Sequence, residues 1–142
     1  PAIGEAGDVD TAVITLKMEN GAIAVIDNCR KAVYGYDQRA EVFGSKGMAS
    51  ISNDSQASIT VSNGDGVTSE KPLYFFLERY IEAYGKEIEA FIDAVVNDKE
   101  TPLGVYDGLK PVLMGLAAKK SSEEHRPVKI SEIMQSGGQK DV

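Results

Sequence analysis

The chain has 142 residues, of which 42% are hydrophobic and 26% are charged, and its formal net charge is −7. This length suffices for one globular domain with a core, and the composition excludes an intrinsically disordered protein. The scattered, outnumbered Lys and Arg residues exclude a nucleic-acid interface, and the sequence has neither an apolar run of about 18 residues, as a membrane span requires, nor a signal-peptide pattern.

The first part of the chain predicts a hairpin. Residues 1–9 lack any periodicity and predict a linker or a frayed N-terminal segment. Residues 11–18 then alternate between apolar and polar side chains, as a half-buried strand requires. Asn20-Gly21 supplies two residues that tolerate positive φ, so a tight turn is predicted, with a returning strand over residues 22–28.

A polar and aromatic segment, residues 30–39, follows these two strands. In extended chain, alternate positions place the rings of Tyr34 and Tyr36 on one side, while Asp37 and Arg39 cross to the other. Phenol hydroxyls with flanking charges suit a polyhydroxylated ligand. The alternative is that both rings pack on a helix and cap the sheet.

Three further strands are predicted over residues 38–43, 48–52 and 58–62, with a tight turn at 44–47. Residues 63–66 are interpreted as a loop. Five strands with short connections predict an antiparallel meander, because parallel neighbours would each need a long crossover.

Two helices are predicted in the second half. From residue 73 the apolar period changes to about 3.6, which predicts a helix over residues 73–95. Tyr84 lies on its apolar stripe, where core packing is the default interpretation. A second helix is predicted from residue 106 or 107 to 120, with Pro111 either in its first turn or at a kink. Residues 128–130 are interpreted as a short edge strand.

Together these elements predict an α+β fold, an open antiparallel sheet with two main helices packed on one face. Residues 10–133 are expected to form a single domain, and residues 134–142 a frayed tail. Because apolar residues occur on both faces of the sheet, a second cover is needed, and we expect a homo-oligomer through the open sheet face. The residues concerned are Val13, Val25, Phe43, Ile59 and Val61.

Cysteine and histidine are scarce, with Cys29 and His125 as the single representatives. One cysteine cannot form an internal disulfide and fits a reducing compartment, so a cytoplasmic location is expected. Zinc sites need several Cys or His ligands at defined spacing, and no metal site is predicted. His125 has no partner at catalytic spacing and is interpreted as a surface residue.

Six short motifs, taken in order and spacing, carry a family resemblance. The chain resembles the C-terminal half of inositol 2-dehydrogenases in the glucose-fructose oxidoreductase, inositol dehydrogenase and MocA family, over about residues 10–133. The motifs are Val9-Asp10-Thr11-Ala12-Val13, Asn20-Gly21-Ala22-Ile23, Tyr34-Gly35-Tyr36-Asp37-Gln38-Arg39, Val42-Phe43-Gly44-Ser45-Lys46-Gly47, Tyr84 with Glu87-Ile88 and Phe91, and Asp107-Gly108.

The resemblance implies a dihydrodipicolinate-reductase-like C-terminal domain that supplies substrate contacts and oligomer interfaces. It also implies an N-terminal Rossmann domain, outside this chain, that binds NAD or NADP and carries the catalytic residues. The family's catalytic lysine, in a Glu-Lys-Pro motif, and its Asp-x-x-x-His pair precede the region that resembles this chain, so neither is expected here. Glu70-Lys71-Pro72 has the same three residues as the lysine motif, but it lies after the strands and is interpreted as coincidence.

By resemblance, Tyr36 faces a polyol site and Tyr84 lines the same pocket. Tyr34 is the third predicted substrate-binding tyrosine, although the resemblance implies that Tyr34 and Asp37 shape the loop more than they touch substrate. The expected function is the substrate-binding and oligomerisation domain of an NAD(P)-dependent enzyme that oxidises inositol or a related polyol to a ketone. The chain alone is expected to be inactive and to hold no cofactor. The alternative is a free-standing assembly or sugar-binding module without chemistry of its own.

Overall fold

The structure is a computed structural model that describes residues 2–137. It divides into two compact units with the boundary between Glu87 and Ile88, inside the longest helix. The first unit holds all the strands, and the second holds the end of that helix and two more helices.

The first hairpin follows a short helix, α1 (Ala2–Glu5), in the segment predicted to be a linker or frayed. It consists of β1 (Thr11–Lys17) and β2 (Ile23–Cys29), which pair antiparallel along their whole length. Gly21 has φ +87, a conformation that glycine adopts without steric cost. The hairpin predicted from alternation and the Asn-Gly turn is therefore confirmed.

Two more hairpins follow, β3 (Ala40–Gly44) with β4 (Gly47–Ile51), and β5 (Thr60–Asn63) with β6 (Gly66–Ser69). Strand β6 was not predicted, and residues 63–66, interpreted as a loop, are the tight turn of this third hairpin. The sequence signal is weak because β6 is only four residues long and contains one large apolar residue, Val67.

The predicted α+β class and the antiparallel pairing of the strands are confirmed. Among residues 2–137, the strand ladders lie within the three hairpins, which form three separate two-stranded sheets rather than one continuous meander. The segments that join one hairpin to the next, residues 30–39 and 52–59, are too long to force adjacent pairing as a tight turn does.

Helix α2 (Phe76–Val96) is the predicted long helix, beginning three residues later than predicted. The amide of Tyr74 donates to the Glu78 carboxylate at 2.9 Å, so Glu78 satisfies a backbone donor ahead of the first turn. Leu73 is instead held in an extended segment, its amide donating to the carbonyl of Asp54 at 3.0 Å.

Helix α3 (Val105–Glu124) is longer at both ends than predicted, and Pro111 lies in its interior rather than in its first turn. Asp107 accepts a hydrogen bond from the Gly104 amide at 3.0 Å and caps the N-terminus. His125 is exposed, as predicted, and ends the helix in the left-handed conformation at φ 52.

The predicted edge strand at residues 128–130 is wrong, because helix α4 (Ile130–Gly137) begins there. The Lys129 amide donates to the Glu132 carboxylate at 3.1 Å, which caps the helix, and Arg126 binds the same carboxylate through both terminal nitrogens. Helix α4 includes the first residues of the predicted tail 134–142, and residues 138–142 lie outside the described part.

Large apolar side chains are widely exposed in both units. Among the described residues, the buried hydrophobic side chains are those of Ala94 and Ala117, while Phe43 is 83% exposed. Exposed apolar surface on this scale is typical of interaction sites. No helix within residues 2–137 has the length and apolar character needed to cross a bilayer.

Candidate functional site

The loop between β2 and β3 approaches the segment that leads into α2. Gly35 in this loop is buried and has φ +149, and a Cβ there would lie 2.8 Å from the carbonyl oxygen of Pro72. The Tyr36 amide donates to the carbonyl of Leu73 at 2.8 Å. Glycine therefore permits a close backbone approach that fixes Tyr36 against the segment before α2.

Asp37 is the centre of the polar network in this loop. Its carboxylate accepts hydrogen bonds from the Tyr34 hydroxyl, from Arg39 Nε at 2.8 Å and Nη2 at 3.0 Å, and from Asn53 Nδ2 at 2.6 Å. The side chain of Asp37 is only 13% exposed. Arg39 first, then Tyr34 and Asn53, hold the pKa of this carboxyl far below its usual value, so it is ionised at neutral pH.

Tyr34 uses its hydroxyl within the protein. The hydrogen bond to Asp37 raises the pKa of Tyr34, because the ionised phenol would face a carboxylate. The ring remains 47% exposed. This geometry suits the loop-shaping role that the resemblance implies for Tyr34 and Asp37, and substrate contact by Tyr34 stays a prediction.

Tyr36, Tyr80 and Tyr84 form an aromatic row in the first unit. The rings of Tyr36 and Tyr80 meet edge to face with centroids 5.8 Å apart, and those of Tyr80 and Tyr84 are 6.3 Å apart. Burial is the main cause that raises the pKa of Tyr80, and a hydrogen bond with Tyr36 raises it further. The structure thus links the two predicted residues Tyr36 and Tyr84 through Tyr80, which the sequence analysis did not single out.

Arg79 lies beside this row. Its guanidinium carbon is 5.9 Å from the Tyr80 ring centroid, and its Nη1 is 2.5 Å from Asp54 Oδ2. The Nε atom of Arg79 is buried and has no hydrogen-bond partner in the described part of the chain. The cation therefore stabilises the aromatic row from α2 while Asp54 neutralises it.

An open-sided cleft of about 650 Å³ borders the loop. Of the three tyrosines predicted to bind substrate, Tyr36 lines it, and Tyr34 and Tyr84 do not. Its volume and its mixture of aromatic and hydrogen-bonding side chains suit a small polar molecule. The lining residues are Asn28, Cys29, Arg30, Lys31, Ala32, Gly35, Tyr36, Asp37, Gln38, Tyr74 and Phe75.

The geometry brings together side chains that can bind a small polar molecule. Within residues 2–137, no cluster of three His, Cys, Asp or Glu side chains is arranged to hold a metal ion. Pro72 of Glu70-Lys71-Pro72 forms an isolated antiparallel β-bridge with Ser55. This residue of the motif therefore has a structural role in the first unit.

Comparison with known proteins identifies the class. Residues 2–130 match the model of the oxidoreductase family, C-terminal alpha/beta domain, of the Gfo/Idh/MocA proteins. The chain therefore belongs to the glucose-fructose oxidoreductase, inositol dehydrogenase and MocA family and corresponds to its C-terminal domain, as the motifs predicted.

Two curated relatives match almost the whole chain. It is 51% identical over 130 residues to the uncharacterized oxidoreductase YrbE of Bacillus subtilis, covering 92% of this chain and 38% of the relative. It is 48% identical over 132 residues to the myo-inositol 2-dehydrogenase of Thermotoga maritima, covering 93% of this chain and 40% of the relative. The chain thus spans about two fifths of the length of these proteins.

Solved structures share the fold. A probable dehydrogenase from Thermotoga maritima superposes with a TM-score of 0.89 at 48% identity, covering 93% of this chain and 40% of that one. A scyllo-inositol dehydrogenase from Lactobacillus casei, solved with bound NAD(H) and scyllo-inositol, superposes with a TM-score of 0.82 at 26% identity, covering 92% of this chain and 38% of that one.

Proposed function

We propose that this chain is the substrate-binding and oligomerisation domain of an NAD(P)-dependent oxidoreductase that converts inositol or a related sugar polyol to a ketone. The observation that carries the proposal is the position of Tyr36, which lines the cleft while its backbone is fixed against Leu73. The names of the relatives, among them a myo-inositol 2-dehydrogenase, support the substrate class.

A polyol ring offers hydroxyl groups at its edge and C–H groups on its faces. The Tyr36 hydroxyl can donate to or accept from a ring hydroxyl, and the rings of Tyr74 and Phe75 in the same cleft offer apolar surface to the C–H groups. Arg30 and Lys31 add cationic donors. These side chains would bind the polyol and fix its orientation, which is how a binding domain contributes to the rate of a reaction.

The residues of this chain do not suit a dinucleotide. No Gly-x-Gly-x-x-Gly motif joins a strand to a helix, so the chain offers no phosphate cradle of that kind. We place NAD or NADP, and the groups that remove the hydroxyl proton, in an N-terminal domain outside this chain. When bound there, the cofactor would accept a hydride from the polyol carbon.

Oligomerisation is proposed from the exposed apolar residues of the hairpins. Val13 and Val25 of the first hairpin are 68% and 65% exposed, and Phe43 of the second is 83% exposed. Covering such residues removes apolar area from water and favours association. A second copy of the chain is the proposed cover.

A cytoplasmic location is proposed from the free, exposed Cys29, because a reducing compartment keeps a thiol of this kind reduced.

The test is catalysis by the full-length protein that contains this chain. With myo-inositol or scyllo-inositol and NAD or NADP, we expect NAD(P)H to form, while the isolated 142-residue chain is expected to form none. Activity of the isolated chain would overturn the proposal that this chain binds the substrate while an N-terminal domain carries the cofactor and the catalytic groups. Polyol binding by the full-length protein without any oxidation would instead favour the free-standing sugar-binding module.

A further inference from the structure

Two consecutive residues, Asn53 and Asp54, together contact the loop that carries Tyr36 and the helical region that carries Tyr80. Asn53 contacts the loop. Its Oδ1 accepts from the Gln38 amide at 2.8 Å, and its Nδ2 donates to Asp37 Oδ1 at 2.6 Å. One half-buried side chain thus holds the backbone two residues after Tyr36, at Gln38, and the carboxylate at the centre of the loop network.

Asp54 contacts the segment before α2 and the helix itself. Its carbonyl accepts from the Leu73 amide at 3.0 Å, and Leu73 in turn accepts from the Tyr36 amide. Its carboxylate pairs with Arg79 Nη1 at 2.5 Å, next to Tyr80. Backbone hydrogen bonds therefore run from Asp54 to Leu73 and on to Tyr36, while an ion pair holds the first turns of the helix that carries Tyr80.

We propose that Asn53 and Asp54 are positioning residues that fix Tyr36 relative to Tyr80 and thereby control the affinity for the polyol. The control of affinity rests on the proposed function, whereas the fixing of Tyr36 does not. Among residues 2–137, no strand ladder joins this loop to the segment before α2. The side-chain and loop hydrogen bonds, together with the isolated bridge between Ser55 and Pro72, therefore carry the constraint. A site that is loose by about 1 Å loses much of its productive geometry.

Asparagine suits position 53 because the site needs one acceptor and one donor on the same short side chain. Alanine supplies neither. An aspartate would keep the acceptor for the Gln38 amide, but when ionised it would direct an oxygen at the Asp37 carboxylate instead of a donor. Two neighbouring carboxylates raise the pKa of one of them, and its protonated form would again both donate and accept.

The experiment compares Asn53→Ala, Asn53→Asp and a control, Asn63→Ala, in the full-length protein. Asn63 also accepts backbone hydrogen bonds, from Asp65 and Gly66 at 2.9 and 3.2 Å, but it lies in the β5–β6 turn. We expect Asn53→Ala to raise the polyol KM about tenfold with a smaller change in kcat, and Asn63→Ala to leave both constants unchanged.

The pH profile separates positioning from general destabilisation. The KM of Asn53→Asp divided by that of the wild type should be high at pH 8 and fall as the pH is lowered towards 5, because the substituted carboxyl regains its proton. The same ratio for Asn53→Ala should stay flat. The charged and titratable groups near this position are Asp37, Arg39 and Tyr34 on the loop, and Asp54 with its partner Arg79.

Amide hydrogen exchange supplies a measurement that is independent of activity. Asn53→Ala should speed exchange at residues 36–38 relative to both the wild type and Asn63→Ala, because the Gln38 amide loses its acceptor. Unchanged exchange there would overturn the fixing of Tyr36. An unchanged polyol KM in an active enzyme would overturn the control of affinity. A wild-type protein without polyol oxidation would refute the proposed function, and exchange alone would then decide the fixing of Tyr36.

Discussion

Asp37 and Asn53 are 16 residues apart in sequence and are joined by a hydrogen bond of 2.6 Å between Asn53 Nδ2 and Asp37 Oδ1. This bond ties the loop after β2 to the segment after β4, although the two segments share no strand ladder within residues 2–137. It is one of four hydrogen bonds that converge on the Asp37 carboxylate. The conformation of the loop that carries Tyr36 therefore depends on an ionised Asp37.

The stability that the ionised Asp37 carboxylate confers should be lost at acid pH. Because the folded protein holds the pKa of this carboxyl below its unfolded value of about 4, its contribution is complete above that pH and is lost as the pH falls below it. Asp37→Asn should therefore lower the Tm at neutral pH, and the difference from the wild type should shrink below about pH 4. Thermal unfolding at a series of pH values measures this.

Asp65→Asn is the matched control for that experiment, since Asp65 lies in the β5–β6 turn and its carboxylate has no salt bridge among those found in the described residues. Its Tm should follow the wild type at every pH. A Tm difference for Asp37→Asn that stays constant down to the lowest pH would contradict the role given to the ionised carboxylate.

Gly35→Ala should destabilise the protein by about 1–3 kcal/mol, the usual cost of a strained backbone conformation. The added Cβ would meet the Pro72 carbonyl at 2.8 Å, and φ +149 is unfavourable for alanine. Gly64→Ala is the control, because no atom beyond Gly64 and its two chain neighbours lies within 4 Å of the added Cβ. Denaturant unfolding of both variants tests this, and equal stabilities would show that the loop can move away from Pro72 at little cost.

Phe43→Glu should reduce the mass of the assembly in solution. Phe43 pairs with Met48 in the second hairpin and is 83% exposed, so a charge there opposes burial against another copy. Leu103→Glu, at a side chain 75% exposed, is the control for a general effect of charge. Light scattering measures the mass, and an unchanged mass for Phe43→Glu would remove this part of the second hairpin from the proposed interface.

Local patterns in the sequence were enough to predict the first two hairpins and the long helix. Alternation and Asn20-Gly21 define β1 and β2, and the 3.6-residue period defines α2. Helix α4 was mistaken for a strand because Val128 and Ile130 are β-branched, and the capping contact from Lys129 to Glu132 overrides that preference.

The candidate site could be predicted only in part. The motif around Tyr36 identified the loop, and the cleft lies beside it. The contributions of Asn53 and Tyr80 come from contacts between segments distant in sequence, 15 residues for Asn53 with Gln38 and 44 for Tyr36 with Tyr80. No periodicity or spacing rule specifies such contacts, and Asn53 carries no local signal beyond its position after a strand.

The most direct test of the account is the effect of Tyr36→Phe on polyol oxidation by the full-length protein, with Tyr106→Phe as the control at a side chain 77% exposed. Loss of the hydrogen bond between the Tyr36 hydroxyl and the polyol, roughly 1 kcal/mol, should raise the polyol KM about fivefold at nearly constant kcat, while the KM for the cofactor stays unchanged. Tyr106→Phe should match the wild type. Identical polyol kinetics for Tyr36→Phe and the wild type would contradict the assignment of Tyr36 as the substrate contact.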